Sequence, residues 1–115
     1  MSIPDLIQAL IQNLDQNLNE AEQKAYQVVN LVRPLLSRFP ENLMLMRHFS
    51  YFNNVILFID IARNKTQFVI DYFSIEDLTE EAIQEIGEDL GELLGRIIEA
   101  KIGIENILKT LEYLS

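Results

Sequence analysis

The sequence predicts an α-rich α+β domain: a long N-terminal helical segment, a central β-hairpin or three-stranded meander, and a long C-terminal helix. Two observations carry most of this. Apolar residues recur every three or four positions in the first and last thirds of the chain, whereas the middle concentrates β-branched and aromatic residues in two runs around Arg63-Asn64-Lys65. A third bounds it: 115 residues with no Pro/Gly/Ser-rich linker, internal repeat or low-complexity tract read as a single domain, residues 1–115. The alternative on the same residues is an all-α helical bundle.

The first element rests on Ile3, Ile7, Leu10, Leu14, Leu18, Ala21, Ala25, Val28, Val32, Leu35 and Phe39. Their three–four spacing lines one face of a helix. Ser2 with Asp5 three residues on resembles a capping box, and Pro4 suits a first turn. The polar stretch Asn13–Asn19 is a place for fraying. Pro34 removes a bond to Asn30 and is expected to kink or end the helix, and Phe39-Pro40 closes the segment.

In the middle, Val55–Ala62 and Thr66–Phe73 read as strands. A two-residue turn at Asn64-Lys65 sets Ile61 opposite Phe68, Ile59 opposite Ile70 and Leu57 opposite Tyr72, giving one wholly apolar face. A second turn at Asn53-Asn54 adds Leu45–Phe52 as a third strand and pairs Arg47 with Asp60 as a structural ion pair. The helical alternative uses Leu45, Phe49, Phe52, Ile56 and Ile59, and such a helix is apolar nearly all round.

The last element is a stripe of Ile83, Ile86, Leu90, Leu93, Ile97, Ala100, Ile104, Ile107, Leu111 and Leu114. A helix over about residues 79–114 is roughly 50 Å long, against a radius of gyration near 13 Å for a compact chain of this length. Either the helix breaks or the molecule is elongated and covers its length with a partner. The N- and C-terminal helices are expected to pack antiparallel, with the apolar sheet face closing the core.

Composition narrows the function. There is no cysteine and one histidine, which removes disulfides, thiolate metal sites, a cysteine nucleophile and sites needing two imidazoles. Nine basic residues against eighteen acidic ones give a net charge of −9, unsuited to a phosphate backbone, so no nucleic-acid partner is expected. The charge is also uneven. Residues 1–65 carry six bases and six acids, and residues 66–115 carry three bases and twelve acids. The longest apolar run, Val55–Ile59, falls far short of a membrane span, and the first residues lack a basic stretch, so a cytoplasmic location without a membrane partner is expected.

Candidate functional residues are few. All four glycines lie in the C-terminal helix at about 1 kcal/mol each relative to alanine, and Gly87, Gly91 and Gly95 form a ridge spaced by four. That ridge reads as a close-packing interface, as a bend, or as a tolerated weakness. Glu81, Glu85 and Glu88 belong to an acidic run from Glu76 to Glu92 that suits a basic partner protein, a weak divalent cation, or simply water. Phe58, Phe68 and Tyr72 are candidates for an apolar pocket between helix and sheet. His48 has no nucleophile or orienting acid nominated beside it, and no phosphate loop, nucleophile elbow or metal-ligand spacing occurs. Catalytic residues, metal ligands and cofactors are therefore all expected to be none. The expectation is a non-enzymatic protein-interaction or regulatory module that self-associates as a homodimer, a mean hydropathy of +0.07 being high for so small a chain. The alternative is a binder of a small apolar ligand.

Overall fold

The computed structural model describes residues 3–75 and 77–114, the side chain of Leu114 excepted. Within them it consists of three long helices, α1 (Asp5–Arg38), α2 (Leu43–Ile75) and α3 (Glu80–Leu114). Ser2 of the expected capping box and Glu76 of the acidic run lie outside the described residues.

α1 runs through both places where a break was expected. The polar stretch Asn13–Asn19 is the outward side of a turn whose inward residues, Leu14 and Leu18, are fully buried. Asn17 is tied down there, its Nδ2 donating to the Asn13 carbonyl at 2.8 Å. Pro34 sits inside the helix, which continues to Arg38 before Phe39 closes it with its N–H on the Leu35 carbonyl. Buried Ile7, Ile11, Leu14, Leu18, Ala21, Ala25, Val28, Val29 and Val32 form the spine of the protein.

α2 overturns the α+β expectation. Residues 43–75 are one continuous helix, and no strand occurs among the described residues. Asn42 caps it, its Oδ1 accepting the Leu45 N–H at 3.1 Å. The inward face consists of Leu45, Phe52, Val55, Ile59, Ala62, Thr66 and Phe73, at spacings of seven, three and four. Thr66 is the buried polar member, and its hydroxyl donates to the Ala62 carbonyl at 2.9 Å. Arg63-Asn64-Lys65 is not a turn. Arg63 instead crosses to α1, where Nη1 donates to Glu22 Oε2 at 2.6 Å and Nη2 to Asn19 Oδ1 at 2.7 Å. Burial of the inward stripe against α1 outweighs the local β-propensity of Val, Ile and Phe, a preference that tertiary packing readily overrides.

α3 starts where the spacing places it. Thr79 is the capping residue, its Oγ1 accepting the Ala82 N–H at 3.1 Å. The helix passes through all four glycines and buries Leu90, Ile97, Ile104 and Leu111 at intervals of seven.

The pairing of the first and last helices is also corrected. Because a full-length helix, not a hairpin, separates them, α2 carries the chain back and α3 runs parallel to α1. Two cross-helix pairs set the register: Lys101 Nζ donates to Glu20 Oε2 at 2.8 Å and Asn17 Oδ1 at 2.9 Å, and Lys24 pairs with Glu105. Hydrogen bonding to Lys101 and Lys24 holds the Glu20 and Glu105 carboxyls below their ordinary range. The Glu22 hydrogen bond raises the already high pKa of Arg63. α1 packs on both neighbours, while α2 and α3 meet only sparsely. The result is a rod of 56 × 20 × 17 Å with a radius of gyration of 17.5 Å, against about 13 Å for a compact chain of this size.

Candidate functional site

An α-helix in a three-helix array needs one apolar face. α2 has two. Opposite its inward stripe lie Met46, Leu57, Ile61, Phe68, Tyr72 and Ile75, all exposed, within an arc of about 80° at 3.6 residues per turn. Phe68 is 68% exposed and Ile75 76%. Ser50, Asn53 and Asn54 dilute the stripe between Met46 and Leu57, and it is densest from Leu57 to Ile75.

This outer face is continuous with a groove of about 670 Å³ where α2 and α3 splay apart. Ile61, Phe68, Val69 and Tyr72 line one wall, and Ile86, Leu90 and Leu93 line the other. Phe68 and Tyr72 are one helical turn apart with their rings stacked, centroids 6.1 Å apart and planes inclined by 14°. Polar groups stand at the rim: Asn64 and Lys65 on α2, and Asp89, Glu92 and Arg96 on α3. Arg96 Nη2 donates to Glu92 Oε1 at 2.8 Å, one turn back along α3.

The expected site residues divide accordingly. Phe68 and Tyr72 come together in the groove, but Phe58 does not line it and packs against the core cluster instead. Arg47 and Asp60 cannot form the expected ion pair. Both are exposed on α2, thirteen residues apart, which is about 20 Å along one helix. The glycine ridge does not act as a unit either. A Cβ at Gly87 would touch Ile7 Cδ1 of α1 at 3.4 Å, whereas Gly91 and Gly95 have nothing within 4 Å. Glu81, Glu85 and Glu88 are exposed near the start of α3, with Glu88 accepting from Gln84 at 3.3 Å. His48 is half-buried early in α2.

Sequence reasoning missed the α3 wall of the groove and the outward members Met46 and Ile75, and it set Leu57 with Tyr72 on an inward sheet face where the structure has an exposed helix face. Their signal was present as apolar residues falling opposite the inward stripe once residues 43–75 are drawn as one helix.

Among the described residues, no group of three or more His, Asp or Glu side chains could hold a metal ion, and no helix is long and apolar enough to cross a membrane. Over its described residues the chain is thus elongated and all-helical, with three helices of which the middle one is apolar on two sides. Comparison with protein-family models, curated proteins and solved structures finds no match, so its own geometry is what speaks to function.

Proposed function

We propose that this chain is a non-enzymatic, cytoplasmic protein-interaction module that self-associates, with the outer face of α2 as its contact surface. The observation that carries the reading is the second apolar stripe of α2. At roughly 200 Å² for a fully exposed side chain of this size, its six members offer on the order of 600 Å² per copy. A standard stable interface takes about 800 Å² from each partner, so the stripe with the adjoining groove is of the right order, and it stands at the upper end of the roughly 300–600 Å² covered by the largest apolar patch of a typical monomer. The acidic face of α3, including Glu81, Glu85 and Glu88, points away from α1 and remains for a basic partner protein.

A second reading is favoured by the groove itself. Its volume and its stacked Phe68–Tyr72 wall suit a small apolar or aromatic ligand. Native mass spectrometry of gently purified protein separates the two readings. A species at twice 13.3 kDa supports self-association. Extra mass of a few hundred daltons on a single chain supports ligand binding, and a bare single chain throughout the micromolar range overturns both.

A further inference from the structure

The charge of this rod lies at one end. Between Lys65 and Arg96 the sequence holds nine acidic residues and no base, which equals the whole net charge of −9. In the fold, the described part of this segment is the last third of α2, residues 77–79 and the first half of α3. Asp5, at the start of α1, lies at the same end because α1 and α3 run parallel with Ile7 beside Gly87. At the opposite end Arg33, Arg38, Arg47 and Lys109 stand against Glu41, Glu105 and Glu112. The guanidinium of Arg33 rests over the Phe49 ring there, 5.9 Å from its centroid.

The proposed self-association through α2, on which this step rests, leaves two ways to lay one rod beside another. A parallel pair brings two ends of −9 together across a helix–helix spacing of about 10 Å. That distance is close to the screening length of about 8 Å at physiological ionic strength, so the repulsion is felt. An antiparallel pair removes that repulsion, setting the acidic end of each copy beside the near-neutral end of the other, where Arg33, Arg38, Arg47 and Lys109 outnumber Glu41, Glu105 and Glu112 by one.

We infer that the partner of the α2 outer face is a second copy of this chain lying antiparallel, about a twofold axis near Ile61. The stripe runs from Met46 to Ile75, and Ile61 stands at its middle, so this axis also overlaps the two stripes along their whole length. Met46 of one copy then meets Ile75 of the other, and Arg47 comes beside the acidic start of the other copy's α3. The arrangement is isologous and closes at two copies, with no open face left to propagate.

The absence of cysteine makes the test clean, because a single introduced thiol takes a single spin label. Ser50→Cys, Asp60→Cys and Ser74→Cys place labels at exposed sites toward one end, the middle and the other end of α2. Pulsed electron–electron resonance on each variant alone is expected to give a short distance only for position 60. Axial separations of roughly 33 Å at position 50 and 39 Å at position 74 follow from 1.5 Å per residue about Ile61. An equal mixture of the Ser50→Cys and Ser74→Cys chains gains a new short distance. Short distances at all three single positions, with none gained in the mixture, overturn the antiparallel arrangement while leaving self-association intact. No dipolar coupling in any sample, with a single-chain mass by sedimentation, overturns both.

Discussion

Phe52 and Phe68 lie on one helix and do opposite jobs, and exchanging each for a small residue separates folding from association. Phe52 is fully buried, touches Tyr51 edge-on with ring centroids 5.0 Å apart, and belongs to the core shared with α1. Phe52→Ala is expected to cost about 3–5 kcal/mol of folding stability through lost transfer energy and the cavity left behind. Phe68 is 68% exposed, so Phe68→Ser removes little from the isolated chain and is expected to change monomer stability by less than about 1 kcal/mol. In the pair, each copy of Phe68 buries that exposed two-thirds of its surface, worth about 1–2 kcal/mol per side chain. Two copies together therefore weaken the dimer by about 2–4 kcal/mol, at least about thirtyfold in dissociation constant. Thermal unfolding in dilute solution reads the first effect, and sedimentation velocity over a concentration series reads the second. A Phe68→Ser chain that associates as tightly as the parent removes the outer face of α2 from the interface. A Phe68→Ser chain that unfolds in dilute solution refutes the two-faced description of α2.

Three further outcomes follow from particular contacts. Gly91→Ala and Gly95→Ala meet nothing within 4 Å, so each is expected to stabilise the chain by about 1 kcal/mol, seen as a raised midpoint in thermal melts. Unchanged association in both variants shows that the glycine ridge is not the contact surface. Lys101→Met leaves Glu20 and Asn17 without their cross-helix donor, and a lowered midpoint in denaturant titrations is expected, an unchanged midpoint showing that these contacts add nothing to stability. Glu20 and Glu105 have lowered pKa values in the folded chain, so their ion pairs contribute stability above the ordinary carboxylate value of 4.5. That contribution is lost as pH falls through their folded values. The Glu20→Gln/Glu105→Gln double variant should accordingly show a shallower loss of midpoint below pH 4.5 than the parent, and identical slopes would remove both groups from the acid sensitivity.

The end helices were legible because each has one apolar face. Among the described side chains, the three–four stripes of α1 and α3 map onto buried or half-buried residues apart from exposed Phe39, and neither Asn13–Asn19 nor the glycines interrupt them. The middle was not, for a physical reason. When a helix carries apolar residues on opposite sides, few polar positions remain to mark its period, and the run resembles a strand of high β-propensity. The hairpin partners Ile61 and Phe68 are seven residues apart, so they share a helix face as naturally as they would face each other across a turn. That is why Phe68 and Tyr72 were placed in one apolar site for the wrong structural reason, whereas Arg47 and Asp60, whose pairing depended on the strand register, were not brought together. The direction of α3 relative to α1 depends on the same element, since a hairpin and a long helix return the chain to different ends of the molecule. The groove's α3 wall is hard to see in the sequence because Ile86, Leu90 and Leu93 belong to the regular core stripe, and only the splaying of α2 from α3 leaves Ile86 and Leu93 partly uncovered.

Sedimentation equilibrium of the unmodified chain across the micromolar range tests most directly whether the outer face of α2 is covered by a second copy. The expected result is a mass that rises with concentration to twice 13.3 kDa and no further, as a closed twofold pair requires. A mass of 13.3 kDa at every concentration contradicts self-association. A mass that climbs past two chains contradicts the closed antiparallel pair.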